Sequence, residues 1–181
     1  PANYKVLFLQ GGATAQFAAI PLNLTAPGAV VDYVNTGTWS TKAIAEAKRY
    51  CQVNVVADAS ATKFTTVPAE AGWQRSLEAA YLHYTPNETI HGVEFPFVPE
   101  ARGIPLVADL SSTILSRPID VSRFGVIYAG AQKNIGPAGL VVVIVREDLL
   151  GKARPDTPTV FDWKAMAADG SMLNTPATYS W

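Results

Sequence analysis

The sequence predicts an α/β fold: a mostly parallel, mixed sheet of seven strands flanked by helices. Three observations predict it. Short β-rich runs alternate with helical spacing along the chain, the order that builds a parallel sheet with helices on its faces. The run GLVVVIVR (139–146) is an almost unbroken stretch of Val and Ile, as in a strand buried on both faces. The last two runs are joined by only about six residues, too few for a parallel crossover, so that pair is expected to be antiparallel.

Taken in order, the strand runs are YKVLFLQ (4–10), VVDYVN (30–35), CQVNVVA (51–57), AAYLHYT (79–85), IPLVADLS (104–111), FGVIYAGAQ (124–132) and 139–146. Each is apolar and bounded by Gly, Pro or Asn. The clearest helix is TWSTKAIAEAKRYC (38–51), with Ile44, Ala47 and Tyr50 on one stripe and Lys48 and Arg49 in the last turn, where the dipole favours cations. A second helix starts near Ala13 and is expected to stop at Ile20, before Pro21. EDLLGKA (147–153) reads as a short helix closed at Gly151. No internal repeat, low-complexity tract or linker interrupts residues 1–181, so one domain is expected.

Composition narrows the function classes. The 181 residues carry 14 Lys+Arg against 15 Asp+Glu, a net charge of −1, and 49% hydrophobic residues, which describes a globular chain. So small a charge provides no general attraction to nucleic acid or anionic lipid, and no basic run or bilayer-length apolar stretch is present. Neither nucleic acid nor membrane is therefore an expected partner. The lone Cys51 excludes an internal disulfide framework and fits a reducing, cytoplasmic location. The chain begins at Pro1, and NTPATYSW ends it without a polar tail, which reads as a piece of something longer.

Several residues are placed for chemistry. Lys133, in AGAQKNIGPAG, lies just past a strand, on the side where open α/β sheets bind ligands, and a desolvated lysine amine condenses with aldehydes. A solvated loop lysine is the alternative. Asp109 lies toward the end of the strand PLVADLSS, 24 residues before Lys133, where a carboxylate can keep a pyridine nitrogen protonated; capping a helix is its other reading. Gly11, Gly12, Ala13 and Thr14 in LQGGATAQF lie between a strand and a helix, a geometry for phosphate or for an ordinary tight turn. Trp39 can stack on an aromatic ring or belong to the core, and Thr89 can reach a ring substituent or complete a turn. His83 and His91 lack partners at metal-ligand spacing, so no metal is expected, and the serines at 111 and 112 are outside any hydrolase motif.

The segments VLFLQGGATAQFAAIPLNL, TGTWSTKAIAEAK, YTPNETIHGVEF, VADLSSTILSRPIDVSRFGVIYAGAQKNIGPAGLVVVIV and LNTPATYSW together resemble the phosphoserine aminotransferase family, in the same order and at similar spacing. GGATAQF departs slightly from the glycine-richer or arginine-bearing forms found in some members. The resemblance implies the large domain of the aspartate-aminotransferase fold, pyridoxal 5'-phosphate as cofactor, and a homodimer with the active site at the subunit interface. It further implies that Lys133 binds the cofactor aldehyde and shuttles a proton, and that Asp109 pairs with the ring nitrogen. Trp39 would stack on the ring and Thr89 would approach its hydroxyl. Ala13, Thr14 and Gln132 would hold the phosphate, with Asn174 and Thr175 reaching the phosphate of the neighbouring subunit. The reaction implied is reversible transfer of the amino group of glutamate to 3-phosphohydroxypyruvate in serine biosynthesis, or a related step in pyridoxine biosynthesis. Family chains are about twice as long and carry their substrate-binding arginines and histidines largely outside this span, so residues 1–181 alone are expected to bind cofactor at best. Another enzyme of the same fold, or a non-catalytic phosphate-binding module, are the alternatives.

Overall fold

The structure, a computed structural model, describes residues 1–173. Its strands are β1 (Tyr4–Leu9), β2 (Val30–Asn35), β3 (Gln52–Asp58), β4 (Leu82–Tyr84), β5 (Asn87–Glu88), β6 (Val93–Glu94), β7 (Leu106–Asp109), β8 (Val126–Gly130) and β9 (Val141–Arg146). Its α-helices are α1 (Gly12–Leu24), α2 (Thr38–Ala47) and α3 (Trp163–Ala168). Seven strands form one sheet in the order β1-β9-β8-β7-β4-β2-β3, while β5 and β6 make a small separate ribbon. Within the sheet β9 alone runs against its neighbours, pairing antiparallel with β1 and with β8. The expected mixed α/β sheet, with its antiparallel final pair, is therefore present.

The register sorts side chains by face. Tyr33 lies opposite His83, His83 opposite Val107, Val107 opposite Val126, and Asp109 opposite Tyr128, so these residues share the face that α1 and α2 cover. Leu82, Tyr84, Leu106, Ala108, Ile127 and Ala129 point to the other face and pack against Trp73, Phe95 and Phe124. Both faces are dry, which is why the central strands are almost uniformly apolar; each fully buried Val, Leu or Ile contributes about 1.5–3 kcal/mol. Among the described residues no helix is long and apolar enough to cross a membrane.

Three local expectations need correction. The first helix does not stop at Ile20 but continues through Pro21 to Leu24. Proline removes one backbone bond, yet Ile20, Leu22 and Asn23 are buried, and the Asn23 amide donates to Ala19 O at 2.8 Å and Phe161 O at 2.7 Å. Tertiary contacts outweigh the local penalty. Residues 147–153 form one 3-10 turn, Glu147–Leu149, not a helix; Glu147 N donates to Asn3 O and Leu150 turns extended. Helix α3 was not expected. Asp162 starts it by accepting from Lys164 N at 2.8 Å, and fully buried Trp163 holds it by donating Nε1–H to Gln16 Oε1 at 3.2 Å.

Helix α2 is capped from a distance. Its N-cap residue is Gly37, and the carboxylate of fully buried Glu88 accepts from Trp39 N at 2.9 Å, Ser40 N at 2.8 Å and Ser40 Oγ at 2.7 Å. A Cβ on Gly37 would stand 2.6 Å from that carboxyl, so glycine is required by the close approach. An anion at a helix N-terminus also meets the positive end of the dipole. Glu88→Ala would strand the backbone N–H groups of Trp39 and Ser40, and we expect a loss of about 3 kcal/mol, read as a lower urea midpoint of the intact protein. An unchanged midpoint would refute the capping role.

Candidate active site

The carboxyl ends of β1, β2, β4, β7 and β8 face one edge of the sheet, and the loops that leave them carry the residues singled out above. This is the edge at which open α/β sheets place ligands. Lys133 lies three residues beyond β8, in the exposed loop that leads to β9. Its Nζ donates to Thr89 Oγ1 at 2.6 Å and to Ser112 Oγ at 2.9 Å, and those two hydroxyls are 2.6 Å apart. The loop is tied down at both ends: Ala131 N donates to Leu140 O at 2.9 Å, and the Asn134 amide to Ile114 O at 2.9 Å. Lys133 is therefore anchored at the sheet edge and not free in solvent. Ser112, which lies outside any hydrolase motif, joins the group; its offset of three residues from Asp109, in the loop that Lys133 meets, is the sequence signal for it.

Asp109, the last residue of β7, is 5% exposed. Burial pushes its carboxyl above the usual range, while donors from Ser111 and Tyr128 pull it back. Ser111 donates both N–H and Oγ–H to Asp109 Oδ1, at 3.0 and 2.6 Å. The same Ser111 Oγ accepts from Gly130 N at 2.9 Å, locking the ends of β7 and β8 together. Lys133 and Asp109 are thus linked through adjacent residues, Ser112 holding one and Ser111 the other.

The first turn of α1 closes the group. Gly11, with φ +89°, and Gly12, with φ +62°, turn the chain from β1 into the helix through backbone conformations that disfavour other residues. A Cβ on Gly130 would lie 3.1 Å from Ala13 N, so glycine there lets the helix N-terminus touch the end of β8. Ala13 is half-buried and Thr14 exposed, both in the turn whose N–H groups have no intrahelical partner. Gln132 is exposed beside Lys133. Trp39 is half-buried in the first turn of α2; its N–H meets Glu88, the residue before Thr89, and Lys42 Nζ sits 4.8 Å from its ring centre. The structure therefore joins Lys133, Thr89 and Asp109 by short bridges, brings Ala13 to the same edge, and leaves Trp39 one residue removed. Asn174 and Thr175 lie outside the described residues.

The other ionisable candidates play structural parts. Burial pushes the Cys51 thiol up to about 11, and its Sγ donates to Ala47 O at 3.2 Å. His91 packs edge-on against Phe64. Among the described residues no group of three His, Cys, Asp or Glu side chains could hold a metal ion.

The aminotransferase class-V family matches residues 1–176. The chain belongs to this family. It is 65% identical over its full length to the phosphoserine aminotransferase of Pseudomonas entomophila, of which it covers 50%. Among solved structures it resembles the phosphoserine aminotransferase of Bacillus circulans subsp. alkalophilus, with 47% identity and a TM-score of 0.93 over 97% of this chain and 49% of that one. It also resembles the PLP-bound phosphoserine aminotransferase of Trichomonas vaginalis, with 42% identity and a TM-score of 0.88 over 98% of this chain and 50% of that one. The chain spans about half the length of the curated relatives it matches.

Beneath the site of this class-V chain lies a neutral histidine. His83 is fully buried, and burial pushes its imidazole down to about 3. The folded chain refuses a proton that the unfolded chain accepts below about pH 6.5, so this residue costs stability as pH falls from about 6.5 toward 3, by up to about 1.4 kcal/mol per pH unit. Urea unfolding of the intact protein at pH 5 and pH 7 should show a smaller loss for His83→Gln than for the native sequence. Equal losses would contradict a neutral His83.

Proposed function

We propose that this chain is the large, cofactor-binding domain of a PLP-dependent phosphoserine aminotransferase. The whole protein would transfer the amino group of glutamate reversibly to 3-phosphohydroxypyruvate, giving O-phosphoserine and 2-oxoglutarate. The observation that carries this reading is the pairing of a lysine amine and a buried carboxylate across Ser111 and Ser112, beside an open helix N-terminus. Those are an aldehyde partner, a ring-nitrogen partner and a phosphate cradle, the three contacts that pyridoxal 5'-phosphate needs.

The donor set fits that group. Bound there, the cofactor supplies an aldehyde to take up the amino group and a protonated ring to withdraw electrons from the substrate α-carbon. Lys133 Nζ is the attachment point and then the base that carries the α-proton. Thr89 and Ser112 hold that nitrogen, and Thr89 is free to turn its hydroxyl to the ring oxygen. Asp109 accepts the ring N–H in a dry setting where a charge-assisted bond is strong. Backbone N–H groups of Ala13 and Thr14, the Thr14 hydroxyl and the Gln132 amide hold the phosphate at the start of α1. Trp39 covers the ring. The whole protein would work as a homodimer in the cytoplasm, within serine biosynthesis. Groups that clamp the substrate's carboxylate and phosphate come from beyond residues 1–181, so these residues alone bind cofactor without turning substrate over.

Pyridoxal phosphate followed by borohydride reduction of the intact protein should label one peptide, that containing Lys133. Lys133→Ala should remove the label and lower glutamate-dependent phosphoserine formation roughly a thousandfold or more. Labels scattered over surface lysines would overturn the assignment.

A further inference from the structure

Directly under Asp109 the covered face of the sheet carries an aromatic string that the reaction as described does not use. Asp109 and Tyr128 are register partners on adjacent strands and point to the same face. The Tyr128 hydroxyl lies close enough to the carboxyl to pull its pKa back toward the usual range. On its other side the same hydroxyl lies 2.8 Å from His83 Nε2. His83 reaches across from β4 and is clamped from β2 by Tyr33, whose ring stacks on the imidazole at 4.6 Å and 20°. Tyr33 in turn bonds its hydroxyl to that of Tyr81 at 2.9 Å. His83, Tyr128, Tyr33 and Tyr81 are all fully buried.

The tautomer follows from one vacancy in the bonding. His83 Nδ1 is buried and has no hydrogen-bond partner. A bare ring lone pair there is a smaller loss than a buried N–H donor left without an acceptor. The proton therefore sits on Nε2, which donates to Tyr128 Oη. A tyrosine oxygen that accepts this bond has its own proton free for Asp109, the acceptor on its other side. Reversing the order would leave the Nδ1–H orphaned and turn the Tyr128 proton away from the carboxyl.

We propose that His83 and Tyr128 are positioning residues for Asp109: neutral His83, protonated on Nε2, donates to Tyr128, which is thereby compelled to donate to the carboxylate. With Ser111 N–H and Oγ–H, the carboxyl then has three donors, which orient it at the sheet edge and offset part of the cost of its burial. The role rests on the reading of Asp109 as the ring-nitrogen partner. It goes beyond that reading by extending the functional unit two residues into the core, onto β8 and β4.

The test uses the full-length, cofactor-free protein first. Nitrogen NMR of labelled histidines, with the His83 signal assigned by its loss in His83→Gln, should show a neutral ring at pH 6 with Nε2 protonated and Nδ1 bare. A charged ring, or a proton on Nδ1, overturns the proposal. Spectroscopic titration with pyridoxal phosphate follows. Tyr128→Phe keeps the shape and removes the hydroxyl, and His83→Leu fills the space without a donor. Each should weaken cofactor binding roughly tenfold to a hundredfold, the loss of one hydrogen bond to a charged group. His83→Gln, which can place an amide N–H near the Nε2 position, should stay within about threefold of the native protein. Native affinity in Tyr128→Phe, or equal damage from His83→Gln and His83→Leu, overturns the positioning role while the functional reading stands. Failure of the native protein to take up pyridoxal phosphate at all overturns the functional reading itself, and with it this role.

Discussion

A carboxylate can be buried at the end of a strand only if something offsets its lost hydration, and the arrangement around Asp109 is organised by that need. Its two serine donors and the facing tyrosine hydroxyl offset part of the cost. The remainder raises its pKa, leaving a group poised to gain from a cation. The protonated ring nitrogen of the proposed cofactor would be such a cation, in a setting where water screens the contact little. Ser111 then transmits the constraint: by bonding both Asp109 and Gly130 N, it sets the end of β7 against the end of β8, whose loop carries Lys133.

The same logic explains the small residues nearby. Gly130 must lack a side chain for α1 to approach β8, and Gly37 must lack one for Glu88 to cap α2. Both close approaches bring helix N-termini to the same edge, so the dipoles of α1 and α2 are aimed at one region. Glu88 caps the second, while the first stays open at the sheet edge. Sheet topology supplies the rest, because parallel strands put their carboxyl ends and loops together whatever their distance in sequence.

Much of this was legible in the sequence. Apolar runs without alternation gave away strands buried on two faces, and the short link before Val141 gave away the antiparallel partner. Lys133 and Asp109 are conspicuous in the sequence because they are charged residues at the ends of apolar runs. What stayed hidden depends on contacts far apart in the chain. Pro21 argued locally for a helix end, whereas Asn23 and Phe161 hold that helix together. Nothing local says that Glu88 caps a helix 48 residues earlier. His83 was read as a strand histidine, which it is, but its link to Tyr128 spans 45 residues and appears only in the folded sheet. Ser112 was weighed against the wrong chemistry.

The central claim is that Asp109 holds a cofactor ring nitrogen protonated while Lys133 holds the ring's other end. The most direct measurement is nitrogen NMR of the intact protein loaded with pyridoxal phosphate labelled at the ring nitrogen. The account predicts a protonated ring nitrogen through neutral and mildly alkaline pH, becoming unprotonated in Asp109→Asn. A ring nitrogen unprotonated in the native protein, or equally protonated in both, would contradict it.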